Sequence, residues 1–312
     1  MADNLTTTVE IPPAIRIYYD RVLLVNAKPK LHHEHFAQKR NIPGKSGDTI
    51  KFSRFAKLAT ATTPITQGIN PPGQKMDITT LTARVSQYGD YVHVTDWVNL
   101  IDQDPVLTER NELLGDQEGR TRDELVRDIL IACASSTNAS GGDNGNTPTE
   151  ITQADIDAIV VTLLGSDAEM MVPKQRASTG VGTSPVRDAF WGIMNTVLIP
   201  DIEDCSGFRS ISEYPQAQAE DGEWGATKNV RWLYSTVAHA SSDSPVQYHL
   251  PIIGKNSYAV TDLEGASESI IKPFGAGDDP LNLKCTAGWK MAFVARILND
   301  TFIHLLKVTL GT

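Results

Sequence analysis

The sequence predicts an α+β fold, and three observations predict it. Two extended runs, DTIKFSRFAKL and MDITTLTARVSQYGDYVHV, flank a segment rich in Pro and Gly. A helix signal opens at Asp104-Pro105, and the C-terminal MAFVARIL and TFIHLLKVTL return to a strand pattern. With 312 residues and 40% hydrophobic residues, the chain can bury one large core or two modest ones.

Residues 1–11 are polar and have the composition of a mobile terminus. Pro12-Pro13 then opens AIRIYYDRVLLVNA, where Ile15, Tyr18 or Tyr19, Val22 and Val25 recur at helical spacing until Lys28-Pro29. This predicts a short amphipathic helix on a basic arm. Residues 31–47 read as irregular and end in the turn-rich Pro43-Gly44-Lys45-Ser46-Gly47. The two extended runs then form a long hairpin whose tip carries Pro64, Gly68, Pro71, Pro72 and Gly73. Such a ribbon, with arms on the order of 30 Å, is marginal alone in water and needs a surface to lie on.

Asp104 as N-cap and Pro105 at the first helical position start a helix running to about Ser135. Its middle is polar and holds Gly115 and Gly119; only Leu125, Val126, Ile129, Leu130 and Ala132 look core-like. Two glycines in a helix imply a kink or the close approach of another backbone. Residues 135–150 read as a loop, and Thr152 with Asp155 caps a helix through DIDAIVVTLL to Gly165. A further helix is predicted after Ser184-Pro185 over VRDAFWGIMNTVL, with strands near 230–237 and 257–260. A turn at Asn299-Asp300 joins the last two strands.

Composition excludes several classes. At 21% charged residues the chain is too apolar to be disordered, and no run approaches the eighteen or so apolar residues that span a membrane. The N-terminus lacks the basic and apolar regions of a signal peptide. Three widely spaced cysteines, Cys133, Cys205 and Cys285, argue against a disulfide framework and predict a reducing compartment. Net charge is −10, but residues 1–58 carry ten Lys/Arg against five acids, leaving the remainder at −15. A basic segment of this kind suggests an interaction tail for nucleic acid or for an acidic protein surface, such as another copy of the chain.

No constellation reads as an active site, a cofactor site or a metal site. Gly44-Lys45-Ser46 has Lys39 where a phosphate loop needs glycine, and a strand pattern follows it instead of a helix. His32-His33-Glu34-His35 is the densest group of metal-ligand types, but its spacing matches no zinc signature, and it reads as polar arm residues contacting a neighbour. Gly180-Val181-Gly182 lacks the third glycine of a dinucleotide fingerprint, and no GxSxG elbow occurs. Glu109, Glu112, Asp116 and Glu118, at helical spacing, read as a solvated acidic face.

The order of arm, Pro/Gly-tipped hairpin, long polar helix, mixed centre and returning strand resembles the tailed-bacteriophage major capsid proteins of the Hong Kong 97-type fold, in particular the short-tailed-phage subgroup. The resemblance is carried by IYYDRVLL (17–24), FAQKRNIPGKSGDTIKFSRF (36–55), ATTPITQGINPPGQ (61–74), VSQYGDYVHVTDWV (85–98), DPVLTERNELLGDQ (104–117) and AGWKMAFVARILND (287–300).

It implies an N-terminal arm at 1–45, an extended E-loop at 46–97, a peripheral domain with its spine helix at 98–165 and 285–312, and an axial domain at 166–284. It further implies self-assembly into hexamers and pentamers of an icosahedral shell around double-stranded DNA, bound without sequence specificity, and no enzymatic activity. The implied location is the virion, after assembly in the host cytoplasm, with scaffolding, portal and decoration proteins as further partners and no membrane. Lys57 and Lys75 fall in the candidate E-loop, but no motif marks them for crosslinking.

Together these readings nominate inter-subunit contacts at Ile15, Arg16, Tyr18, Arg21, Val22, Lys57, Pro71, Pro72, Glu109, Glu112, Asp116 and Glu118. A cytoplasmic DNA-binding protein using the basic arm is the alternative, and an enzyme with an unrecognised site is a third class. Salt-dependent retention of the arm on nucleic acid would mark the DNA-binding protein, and a small soluble oligomer with a cleft would mark the enzyme.

Overall fold

The computed structural model describes residues 32–65, 67–97, 106–140, 147–171, 188–213, 221–275 and 280–311, with backbone only at 106–109. The helix predicted around Ile15–Val25 lies outside these residues. The described chain is mixed α and β. Its strands form two main sheets and a separate two-stranded ribbon.

The ribbon is β2 (Thr49–Phe55) against β3 (Ile78–Arg84), antiparallel, with Thr49 opposite Arg84 and Phe55 opposite Ile78. The second extended run is broken at Val85. Beyond it β4 (Ser86–Thr95) leaves the ribbon and pairs along β13 (Lys284–Ile297) over ten residue pairs.

On β13 the five-stranded sheet is completed by β11 (Tyr258–Leu263) and β12 (Glu268–Lys272), and β1 (Gln38–Ile42) adds in parallel to β11. The irregular reading of residues 31–47 is thereby corrected. QKRNI has no apolar alternation because only Ile42 is buried there. Its strand conformation comes from the ladder that β11 offers.

The seven-stranded sheet runs β5 (Ser136–Asn138), β14 (Ile303–Val308), β10 (Tyr248–Ile253), β6 (Phe190–Asn195), β9 (Val230–Ser235), β8 (Glu223–Thr227) and β7 (Phe208–Ser210). Both of its faces are covered. Phe190, Met194, Trp232, Leu250, Ile252 and Leu306 pack with helix α2 (Gln153–Gly165), while Ile193, Ile253, Ile303 and Leu305 join the cluster around helix α1 (Val106–Ile131).

Coverage on both faces explains a second correction. FWGIMN, read as helix, is the central strand β6, followed by a 3-10 turn at Thr196–Leu198 and a short helix at Ile199–Glu203. A strand buried on both sides is a continuous apolar run with no alternation, and periodicity cannot separate that from a buried helix. The loop read at 135–150 likewise contains β5, which pairs in parallel with β14. The turn at Asn299-Asp300 is a crossing between sheets: β13 lies in one, β14 in the other, with a 3-10 turn at Asp300–Phe302 between them. Strands from 166–284 and from 285–312 therefore occur in both sheets.

Helix α2 has the predicted start, with Asp155 accepting from the Thr152 N–H at 3.2 Å and from its hydroxyl at 2.5 Å. Gly192 is required by packing, since a Cβ there would stand 2.4 Å from the Trp232 ring. Trp232 is fully buried and its indole N–H donates to Thr227 Oγ1 at 2.7 Å, so it cannot swing aside without losing that bond. Gly192→Ala is expected to cost about 1–3 kcal/mol by overpacking. Denaturant unfolding followed by tryptophan fluorescence checks it; an unchanged midpoint would show that β6 and β9 can separate freely.

The largest departure concerns α1. Its 26 residues, about 39 Å at about 1.5 Å per residue, are unbroken through Gly115 and Gly119. Its polar middle is buried: Arg110, Asn111, Glu118 and Asp123 are each under a tenth exposed. The helix lies across β13 and β4, where the Trp289 indole N–H donates to Gln117 Oε1 at 3.1 Å and Gln117 Nε2 donates to Asp90 at 2.6 Å.

Candidate assembly surface

The ribbon has two chemically distinct faces, set by the period of two in a strand. On one, Ile50, Phe52 and Leu81 are half-buried and Ala83 is buried, turned toward the body. On the other, Thr49, Lys51, Ser53, Thr80, Thr82 and Arg84 are exposed and polar, and the distal pair Phe55–Ile78 is apolar and bare. Its base is closed by Arg84 Nε on Asp48 at 2.6 Å and by the Val85 N–H on the Asp48 carbonyl at 2.8 Å. Beyond the last ladder pair the Ala56 N–H still reaches the Asp77 carbonyl at 2.9 Å, and Gln74 Nε2 donates to the Ala59 carbonyl at 2.8 Å.

The tip lacks burial. Phe55, Leu58, Ile65, Ile69, Met76 and Ile78 are each between 57% and 74% exposed. Six large apolar side chains on one projection form a patch of the kind that marks an interaction site. Between the ribbon and the body lies a cleft of about 500 Å³, lined by Arg54, Thr79 and Leu81 on one side and by Ile129, Ala132 and Arg296 on the other. Lys57 donates to the Asp167 carboxylate just beyond α2. Both partners are largely exposed, so the pair is a weak tether.

Behind the ribbon, residues 32–42 are locked into the body. The His33 N–H donates to Asp123 Oδ1 at 2.8 Å and its ring Nδ1 sits 2.7 Å from Oδ2, both residues buried. A carboxylate only accepts, so Nδ1 carries the proton in that contact. The fully buried Tyr258 hydroxyl donates to the His33 carbonyl. Burial raises the Tyr258 phenol far above its ordinary value, with Glu34 and Asp123 adding to the effect, so it remains a donor.

Glu34 is 2% exposed and takes two bonds from Arg122, at 3.0 and 3.1 Å, plus Lys39 Nζ at 2.8 Å. Burial pushes the Glu34 carboxyl up, but Arg122 and Lys39 outweigh it and hold it below its ordinary value. Arg122 also reaches Asp262 at 3.1 Å and lies over the Phe293 ring at 4.7 Å. Phe36 stacks on Trp191 at 4.7 Å, and the Arg231 guanidinium lies over the Trp191 ring at 4.3 Å.

The predicted site residues therefore separate. Ile15, Arg16, Tyr18, Arg21 and Val22 lie outside the described residues, as does the side chain of Glu109. Pro71 and Pro72 are exposed at the tip, and Lys57 faces Asp167 of its own chain. The acidic spine face is not one surface: Glu112 is exposed and Asp116 pairs with Arg120 at 3.0 Å. Glu118 is 7% exposed, and its carboxyl is raised by burial and by Asp262 against the pull of Arg122.

The reading of His32–His35 as arm residues touching a neighbour is also corrected at His33 and Glu34, which bind the chain's own spine. The sequence signal for this was Glu118 and Arg122, at i and i+4, beside Asp123. Charges of both signs on one turn can indicate a buried network as well as a wet face. Among the described residues no group of three or more His, Cys, Asp or Glu side chains is arranged to hold a metal ion.

No protein-family model and no curated protein sequence matches the chain. Solved structures do. The capsid of Ralstonia phage GP4 aligns with a TM-score of 0.65 at 13% identity, covering 90% of this chain and 88% of the other. The head of Helicobacter pylori bacteriophage KHP40 aligns at 0.62 and 10% identity, and the capsid of cyanophage P-SCSP1u at 0.58 and 11%; each covers 88% of this chain and 87% of the other. At such identities the shared property is the fold, and it extends over nearly the whole chain. The protein has the fold of bacteriophage capsid proteins.

Proposed function

We propose that the chain is a bacteriophage major capsid protein of the Hong Kong 97 type, which self-assembles into hexamers and pentamers of an icosahedral shell enclosing double-stranded DNA. The observation that carries this is the bare apolar tip on a projecting ribbon, in a chain whose fold matches phage capsids almost end to end. An isolated enzyme or a monomeric binding protein has no evident use for six exposed large apolar residues on one arm.

In this reading residues 1–45 are the N-terminal arm and 46–97 the E-loop. The peripheral domain is 98–165 with 285–312, with α1 as its spine helix, and the axial domain is 166–284. Ile15, Tyr18 and Val22 supply apolar contact to a neighbouring subunit, Arg16 and Arg21 fix its register, and Pro71 and Pro72 stiffen the tip. The −15 charge outside residues 1–58 repels phosphates, so the genome is confined without adhering. Scaffolding, portal and decoration proteins are further partners, and the shell forms in the host cytoplasm.

Electron microscopy of the purified full chain tests the reading. Shells, tubes or capsomer rings are expected. Particles no larger than small oligomers at every concentration up to the solubility limit would overturn it.

A further inference from the structure

The seven-stranded sheet carries a histidine pair that the assembly reading does not use. His249, on β10, and His239, on the segment entering that strand, stack with ring centroids 4.6 Å apart and planes 15° from parallel. The His249 N–H donates to the His239 carbonyl at 3.3 Å, and farther out the Ser241 N–H donates to the Gln247 carbonyl at 2.8 Å. The Nδ1 atoms of both rings are buried and have no hydrogen-bond partner among the described residues. A neutral imidazole can leave one nitrogen bare as an unprotonated acceptor, whereas an imidazolium has two N–H groups to satisfy. The pocket is thus built for two neutral rings.

The surrounding charges reinforce this. From α1, Arg127 donates to the Val237 carbonyl at 2.8 Å and so holds the segment that leads to His239. Arg127 is itself paired with Asp128 at 2.8 Å, with Glu124 4.0 Å away. From β14, Lys307 stands opposite His249 in the ladder. From the hairpin's own tip comes Asp243. Asn195 at the end of β6 adds a neutral tie to the Ala238 carbonyl at 3.2 Å.

Burial lowers His249 to about 4, and His239, Lys307 and burial act in the same direction against the weaker pull of Asp243. His239 is lowered by burial and then by Arg127, against Asp128. Protonating either ring sets a cation against its stacked partner, beside Arg127 or Lys307, with an unsatisfied N–H inside.

We propose that the stacked His239–His249 pair is an acid-operated latch: neutral, it fastens residues 237–249 to the sheet and to α1, and on taking up a proton it lets that hairpin open. The sign follows from linkage. A histidine whose folded-state value is depressed contributes fully above its ordinary value near 6.5, and the contribution is lost as pH falls toward the folded value near 4. The opening equilibrium of the hairpin should therefore rise about twentyfold between pH 7 and pH 5 on account of His249 alone.

Hydrogen exchange of the unassembled full chain, corrected for the intrinsic pH dependence of exchange, reads the amides of Ser241, Gln247 and His249 directly. In the native chain their protection is expected to fall by about that factor, and H239Q/H249Q is expected to show a nearly flat response. K307Q keeps both rings but removes one cation, so its response should be intermediate. Titration of the histidine Cε1 protons by NMR in the unaltered chain supplies a readout that survives if the double variant fails to fold. Ordinary titration of both rings near 6.5, or the same acid response with and without the histidines, overturns the latch.

Discussion

Replacing Leu58, Ile65, Ile69 and Met76 by serine is expected to abolish particle formation while leaving the subunit as stable as before. The four side chains are 57%, 74%, 65% and 60% exposed in the free chain, so folding gains little from them. Surface substitutions of this kind usually move stability by no more than about 0.5 kcal/mol. Their contribution arises only when a neighbouring subunit covers them. Fully burying such side chains is worth about 1.5–3 kcal/mol each, so the four together carry about 6–12 kcal/mol per contact as an upper bound. That is enough to hold or lose an interface whose formation must also overcome the entropy of association. Sedimentation and particle counts by electron microscopy read assembly; thermal unfolding by circular dichroism reads the fold. Particles at normal yield would show that the tip is not an interface, and a subunit that unfolds would show that the tip belongs to a core.

Much of this architecture was legible from residues alone, for physical reasons that can be named. The ribbon and its tip follow from local chemistry: alternation in TIKFSRF and ITTLTAR, then a segment too rich in Pro and Gly to continue either strand. The start of α2 follows from Thr152 with Asp155, where capping acts within a few residues, while the Asp104-Pro105 signal read for the long helix lies outside the described residues. What could not be read depends on partners distant in sequence. QKRNI is a strand because β11, more than 200 residues later, supplies its ladder. FWGIMN is a strand because helices cover both faces of its sheet, which removes the alternation that would have identified it. The polar middle of α1 reads as a wet surface because its neutralising partners, His33, Glu34 and Asp262, come from two other parts of the chain.

That same buried network yields the largest expected effect on folding. Arg122→Ala is expected to destabilise the free subunit by about 3–5 kcal/mol, the range for breaking a buried pair by removing one member. The reasoning runs through what remains. Glu34, 2% exposed, would lose two charge-assisted hydrogen bonds and keep only Lys39, whose side chain is 61% exposed and reaches it from outside. Asp262 would lose its cation, and Phe293 the guanidinium that covers its ring. Glu34 must then either stay charged without its main partner or take up a proton.

The pH dependence separates this from simple loss of packing. Glu34 is held below its ordinary value near 4.5, so its contribution is present above that value and fades as pH falls through the lower, folded one. In R122A the depression should be gone. The stability gap between the native chain and the variant should therefore be widest near neutral pH and should narrow on acidification, when Glu34 is protonated in both. Replacing the set with apolar residues of similar volume, E34L/R122M/D262L, should recover most of the loss, because the buried Glu34 charge goes with its partner and Glu118, which loses Arg122, is also freed of the neighbouring Asp262 charge. Urea unfolding at a series of pH values measures all three chains. A gap below about 1 kcal/mol at neutral pH, or one that does not narrow with acid, would show that the network is not what fastens residues 32–42 to the spine.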